Sequence, residues 1–252
     1  MNSLFDLSGK RALITGSSQG IGLAIAKALH LAGAEIILNG RNEDKLKQVA
    51  QSLSKGNDVP KVSFAAFDVS DVKAVKDTIE GLGQIDILVN NTGMTIRGAL
   101  LDFAPVDWQA VMHTNVDSMF YVSQAVAGSM IARGAGKIIN ICSVQSELGR
   151  PSIVPYTASK GAVKMLTKGM CAEWAKYGLQ INGIAPGYFV TELTQKLVDD
   201  PSFNAWLCQR TPANRWGQVD ELGGAAVFLA SAASSYVNGH ILAVDGGMTA
   251  AV

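Results

Sequence analysis

The stretch that decides the fold is KRALITGSSQGIGLAIAKALHLA, Lys10 to Ala32. Lys10 to Thr15 is a short apolar run, the pattern of a buried strand. Gly20 to Ala32 then repeats apolar residues at Ile21, Ala24, Ile25, Ala28 and Leu29, the period of a helix. Between them stands G-x3-G-x-G, formed by Gly16, Gly20 and Gly22. Glycines let the backbone turn tightly and approach a pyrophosphate, while the helix N-terminus presents amides and positive dipole to it. The expected phosphate contacts are Gly16, Ser18, Gly20, Ile21 and Gly22. The same glycines also suit a turn packed closely between strand and helix.

The alternation continues outward. Strand signals recur at Glu35 to Asn39, Val62 to Phe67, Ile85 to Val89, Lys137 to Cys142, Gln180 to Ala185 and His240 to Val244. Helical patterns fall at Glu43 to Leu53, Val72 to Glu80, Trp108 to Arg133, Tyr156 to about Lys176 and Asp220 to Ala230. Helices of this length between strands imply parallel βαβ units with right-handed crossovers, and near-continuous apolar strands imply a sheet covered on both faces. The expectation is a single α/β domain over 1–252: a doubly wound, Rossmann-type parallel sheet of about seven strands, helices on both faces, ligands above the strands' carboxyl ends. The less regular segment 188–216, with Pro201 and Pro212, is expected to cover a substrate.

Composition narrows the class. The 252 residues are 48% hydrophobic, with 21 basic against 21 acidic side chains. That neutrality gives no support for a nucleic-acid or anionic-membrane partner. No leader is recognisable at Met1 to Gly9 and no apolar run is long enough to span a bilayer, so a cytoplasmic protein is expected. Three dispersed cysteines read as reduced thiols, and no Cys/His spacing predicts a metal.

The chemistry concentrates in Ser143 to Lys160, SVQSELGRPSIVPYTASK, directly after the fifth strand. Tyr156 and Lys160 share one helix face at i,i+4. A free phenol titrates near about 10, and a nearby ammonium is expected to lower that value. Ser143, at the strand's carboxyl end, is placed to polarise a substrate oxygen. Together they make a proton donor/acceptor, an electrostatic tuner and a hydrogen-bond donor, equipment for interconverting an alcohol and a ketone.

The second strand ends Asn39-Gly40-Arg41, with no acidic residue to grip ribose hydroxyls. Arg41 offers a guanidinium suited to phosphate, so NADP(H) is expected over NAD(H). Asp68, with Val69 beside it after strand three, is placed for the adenine. Asn90, Asn91 and Gly93, after strand four, are expected to support the adenosine and the sheet top.

Thr15-Gly16-x3-Gly20-x-Gly22, Asn90-Asn91-x-Gly93, Asn115, Ser143, Tyr156-x3-Lys160 and Pro186-Gly187 follow one another in order. This resembles the classical short-chain dehydrogenase/reductase family over essentially the whole chain. Two departures are Thr92, where the family usually has alanine, and Gln19, often basic in NADP-preferring members. The resemblance implies Tyr156 as general acid/base, Lys160 as its tuner and a nicotinamide-ribose ligand, and Ser143 as the orienting group. It implies Asn115 as holder of a relay water and Pro186, Gly187 and Thr191 as nicotinamide contacts. A homotetramer is also implied. Longer strings, among them SVQSEL at 143–148 and FNAWL at 203–207, resemble members that interconvert D-gluconate and 5-dehydro-D-gluconate.

A sugar-acid substrate needs a polar pocket with a cation. Arg97 is the first candidate, Arg150 the second, with Gln145 and Glu147 for hydroxyls and Tyr188, Trp206 and Trp216 as cover. Reduction of 3-oxoacyl carrier-protein thioesters is a second reading, disfavoured by the lack of a basic excess. A dinucleotide-binding regulator without turnover is a third, disfavoured because both Tyr156 and Lys160 are present.

Overall fold

The computed structural model describes residues 4–55 and 59–252. Residues 1–3, part of the N-terminal stretch read above, and residues 56–58 lie outside the described residues. In chain order the elements are β1 (Arg11–Ile14), α1 (Gly20–Leu31), β2 (Glu35–Gly40), α2 (Glu43–Leu53), β3 (Val62–Ala66), α3 (Val72–Leu82) and β4 (Ile87–Asn90). Then follow α4 (Pro105–Met112), a π turn (His113–Asp117), α5 (Ser118–Arg133), β5 (Gly136–Ile141), α6 (Val154–Trp174) and β6 (Leu179–Pro186). The chain closes with β7 (Phe189–Val190), α7 (Gln195–Val198), α8 (Pro201–Arg210), β8 (Gly217–Gln218), α9 (Gly223–Ala230) and β9 (Ile241–Val244).

Seven parallel strands pair in the order β3-β2-β1-β4-β5-β6-β9, so the order reverses between β1 and β4. The expected doubly wound, Rossmann-type α/β domain is therefore present. Strand side chains alternate between two cores. Ala12, Ile14, Ile36, Leu38, Ile87 and Val89 join Ile25 and Leu29 of α1 and Ala226 and Leu229 of α9. Leu13, Ile37, Leu88 and Ile138 face the other way, against Val75 and Ile79 of α3 and Val122 and Val126 of α5. With both faces buried, continuous apolar strands are what the architecture requires. Each of the Val, Leu and Ile side chains contributes about 1.5–3 kcal/mol on burial.

Local signals set the helix ends. Asn42 caps α2 by accepting from Lys45 N at 2.9 Å, and Asp71 caps α3 by accepting from Lys73 N and Ala74 N at 2.9 and 3.0 Å. Gly134, at φ 68°, ends α5 in the left-handed conformation.

Two expectations change. The single helix over Trp108 to Arg133 begins at Pro105 and contains the π turn. Backbone angles are helical at both of its ends, and no glycine or proline marks it in the sequence. Segment 188–216 is more regular than its reading, since it contains β7, α7 and α8, and β7 pairs in parallel with β8 just beyond it. Asp200 followed by Pro201 is a helix start in sequence terms, and Asp200 does accept from Ser202 N and Phe203 N. Among the described residues no helix is long and apolar enough to cross a membrane, and no group of three His, Cys, Asp or Glu side chains is placed to hold a metal.

Candidate active site

A cleft of about 1050 Å³ lies over the carboxyl ends of the strands and crosses the β1/β4 switch point. Its floor is knitted by short polar side chains. Ser17 N donates to the Asn39 carbonyl at 2.9 Å and Asn39 N donates to Ser17 Oγ at 3.0 Å. The Asn39 amide reaches the carbonyls of Ala65 and Phe67 at 3.2 and 3.1 Å, so the tops of β1, β2 and β3 are tied together. From β4, Asn91 Nδ2 donates to the carbonyls of Thr15 and Gly16, both at 3.0 Å. Thr15 Oγ1 accepts in return from Asn91 N and Thr92 N at 2.9 and 3.1 Å.

This scaffold holds the glycine loop open. Gly16 and Gly20 have φ of 60° and 57°, and a Cβ on Gly22 would stand 2.4 Å from the Gly16 carbonyl oxygen. Gly16, Ser18, Gly20 and Ile21 line the cleft, whereas Gly22 packs behind it. Arg41, with 82% of its side chain exposed, stands at the mouth 3.9 Å from Asp68. Asp68 accepts from Ser70 Oγ and N at 2.6 and 2.9 Å. Its carboxyl is held below the usual range, first by the Ser70 hydroxyl and against the cost of partial burial, with Arg41 helping. Val69 and Gly93 also line the cleft. Asn90 does not. Its side chain turns into the interior, donating to Ser123 Oγ and Asn140 Oδ1 at 2.9 Å each, so it supports the sheet top as part of a buried polar ladder. The cleft's open glycine-lined wall, with a guanidinium at its far end, fits a dinucleotide carrying an additional phosphate.

Ser143, Tyr156 and Lys160 meet at the other end of the cleft. Ser143 is buried beyond the end of β5. Its N–H donates to Ser146 Oγ at 3.3 Å, and Ser146 Oγ donates to the Lys160 carbonyl at 2.9 Å, so one hydroxyl ties the strand end to α6. Lys160 Nζ donates to the Ile141 carbonyl at 2.7 Å and sits 5.7 Å from the centre of the Tyr156 ring.

The expected lowering of Tyr156 is not what this arrangement produces. Burial pushes the phenol up, a hydrogen bond from Ser143 opposes that, and the neighbouring Cys142 adds to the rise. Burial also pushes Lys160 down to about 8, so this lysine loses its proton before the phenol titrates. The neutral phenol is thus the resting form.

Asn115 is fully buried in the π turn. Its Oδ1 accepts from Met94 N at 2.7 Å, and its Nδ2 donates to the Met94 carbonyl and Ser159 Oγ, both at 2.9 Å. Both amide hydrogens are used, so the side chain can meet a water only through the second lone pair of Oδ1. Ser118 N donates to His113 O instead of the Thr114 carbonyl of a regular helix, and Ser118 Oγ takes up that carbonyl at 2.6 Å.

Among substrate candidates, Arg97, Gln145 and Arg150 line the cleft, as do Pro186, Gly187, Tyr188 and Thr191. Gln145 Oε1 is buried without a partner. Glu147 does not reach the cleft; it is exposed and paired with Lys164 of α6. Two turns of α6 carry Tyr156, Lys160 and Lys164 in line, and the last captures the carboxylate. Arg150 donates to Tyr188 Oη at 3.2 Å and lies 5.2 Å from the Phe203 ring centre. Tyr188, Phe203, Trp206 and Trp216 form one aromatic cluster, with Trp216 Nε1 donating to Asn204 Oδ1 at 2.7 Å. Neither Trp206 nor Trp216 lines the cleft.

Among the lining residues that escaped the sequence reading are Thr95 and Lys45. Thr95 has a buried hydroxyl without a partner. Lys45 donates to Gln19 Oε1 from the first turn of α2.

The family profile described as Enoyl-(Acyl carrier protein) reductase matches residues 16–249. The chain belongs to the short-chain dehydrogenase/reductase family. It is 59% identical to the gluconate 5-dehydrogenase of Gluconobacter oxydans (strain 621H), over 98% of this chain and 97% of that protein. It is 52% identical to the 5-keto-D-gluconate 5-reductase of Escherichia coli (strain K12), over the full length of both. The crystal structure of a gluconate 5-dehydrogenase from Burkholderia cenocepacia J2315, in complex with NADP and tartrate, superposes with a TM-score of 0.95 at 59% identity, covering 98% of each chain. In this short-chain dehydrogenase/reductase the glycine loop, Ser143, Tyr156 and Lys160 line one cleft.

Proposed function

We propose that the chain is an NADP(H)-dependent oxidoreductase interconverting D-gluconate and 5-dehydro-D-gluconate. The observation that carries this reading is the meeting of Ser143, Tyr156 and Lys160 at one end of a cleft whose other end holds the glycine loop and Arg41. The relatives and the NADP- and tartrate-bound structure described above supply the substrate class.

NADP(H), when bound, supplies or accepts the hydride. The chain's residues handle the proton. Tyr156, kept neutral by burial, donates its phenolic proton to the ketone oxygen during reduction. Ser143 Oγ donates a hydrogen bond to the same oxygen as charge develops on it. Lys160, anchored on the Ile141 carbonyl, presents a positive charge beside the ring that has given up its proton. Gly16, Ser18, Gly20 and Ile21 hold the pyrophosphate. Arg41 takes the 2′-phosphate, with Asp68 and Val69 beside the adenosine. Pro186, Gly187 and Thr191 bound the nicotinamide end.

Arg97 serves the substrate carboxylate and Gln145 a hydroxyl. Residues 188–216 form the cover, fastened by Arg150 to Tyr188 and Phe203. A thioester of an acyl carrier protein is a poorer fit, because a second guanidinium and an unpartnered buried amide oxygen favour a polar, anionic substrate.

The full chain acts as one catalytic unit in the cytoplasm, where its three free cysteines stay reduced. It assembles as a homotetramer; exposed Leu101, Trp108, Phe120 and Met165 on and beside α4, α5 and α6 supply apolar faces for the contacts.

The deciding experiment follows NADPH oxidation with 5-dehydro-D-gluconate, beside acetoacetyl thioester and with NADH as control. Turnover of the sugar acid with NADPH is expected. Turnover of the thioester alone overturns the substrate reading.

A further inference from the structure

The adenosine end of the cleft contains more charge than Arg41 alone. Arg41 is shared with Asp68 at 3.9 Å, and most of its side chain is in solvent. A single guanidinium already facing a carboxylate gives limited grip on a dianionic phosphate, because exposed pairs of this kind are screened and mobile. A second cation stands at the same wall. Lys45 lies in the first turn of α2, where its own N–H donates to the Asn42 cap at 2.9 Å.

Its Nζ donates to Gln19 Oε1, and both residues line the cleft with Ser18, Gly40 and Arg41. Gln19 occupies the N-cap position of α1, yet its side chain makes no capping bond. That amide is used instead to hold Lys45. The long, flexible lysine is thereby held across the gap between the two helix starts.

We infer that Lys45, positioned by Gln19, is a second specificity residue for the 2′-phosphate of the dinucleotide. Gln19 carries no charge, so the glycine loop supplies the position and α2 supplies the cation. Three residues then act together on the phosphate. Arg41 offers a planar fork, Lys45 a point charge and Gln19 the hydrogen bond that places it. This rests on the NADP(H) reading above and deepens it.

Binding of 2′,5′-ADP and of 5′-ADP, measured by titration calorimetry on the purified protein without substrate or turnover, isolates the 2′-phosphate. Wild-type protein is expected to favour 2′,5′-ADP. Lys45→Met is expected to weaken 2′,5′-ADP about tenfold while leaving 5′-ADP within about twofold. Gln19→Leu, which keeps the lysine but frees it, should lose about threefold on 2′,5′-ADP alone. The exposed position of Lys45 leaves the fold intact, which circular dichroism verifies. An unchanged 2′,5′-ADP affinity in Lys45→Met, or an equal loss for both ligands, overturns the role of Lys45 and leaves the NADP(H) reading standing. A wild-type protein that does not distinguish the two ligands overturns both.

Discussion

Asn115 holds Met94 by both backbone groups: Oδ1 accepts from Met94 N at 2.7 Å and Nδ2 donates to Met94 O at 2.9 Å. One side chain thus imitates a strand partner for the segment that leaves β4. That segment brings Gly93 within 3.6 Å, measured from a Cβ built on it, of Lys160 Nζ. The clamp places the floor of the cleft beside Lys160.

Replacing Asn115 by Ala removes both bonds and the one to Ser159. Buried backbone groups left unpaired cost about 1–3 kcal/mol each. Asn115→Ala is therefore expected to destabilise the protein by about 2–4 kcal/mol in urea unfolding, with kcat falling as the floor shifts. A loss under about 1 kcal/mol would show that the clamp is dispensable.

Tyr156→Phe removes the proposed proton donor and leaves the ring packing. A fall in kcat of about 10²–10⁴ is expected, with NADPH affinity within about twofold, as judged by steady-state rates beside fluorescence titration. Retention of a tenth of the activity or more would move the acid to another group.

Lys160 titrates at about 8 in the folded chain against 10.5 when free. Between these values the unfolded chain binds the extra proton, so stability rises with pH. Cys142, raised from 9.0 to about 11, acts oppositely above pH 9, and Tyr156, raised from 10.0, does so above 10. The window is therefore pH 8 to 9. Across it Lys160 is expected to add about 1 kcal/mol to the cofactor-free protein. Lys137, also lowered to about 8 by burial, adds with the same sign from a partly exposed site. Denaturation of Lys160→Met at the two pH values should show that rise reduced by about 1 kcal/mol; an unaltered slope would contradict the burial of a charged lysine.

Arg97 is exposed and lines the cleft, whereas Arg150 is already engaged with Tyr188 and Phe203. Arg97→Ala should raise substrate KM about tenfold or more without altering NADPH binding. An unchanged KM removes Arg97 from the substrate site.

Arg150→Met breaks the Tyr188 bond and the contact with Phe203. Faster proteolysis within 188–216 is expected, together with a higher substrate KM. Equal cleavage rates in variant and wild type would mean that the aromatic cluster holds this segment unaided.

Much of this protein could be read along the chain because the deciding interactions are local or periodic. The glycine loop between β1 and α1, the i,i+4 pairing of Tyr156 with Lys160 and the strand alternation each depend on residues a few positions apart, and they determined the doubly wound sheet and the proposed catalytic group. What lay beyond the sequence depends on pairs that only folding brings together. Asn90 and Glu147 looked like cleft residues, yet Asn90 is turned inward toward Asn140, 50 positions away. Glu147 is captured by Lys164, which stands one turn of α6 beyond Lys160. The π turn carries no glycine or proline to mark it in the sequence. The titration of Tyr156 was decided by burial, a property of the assembled core: desolvation raised the phenol and lowered its lysine partner, outweighing the proximity that spacing alone had suggested.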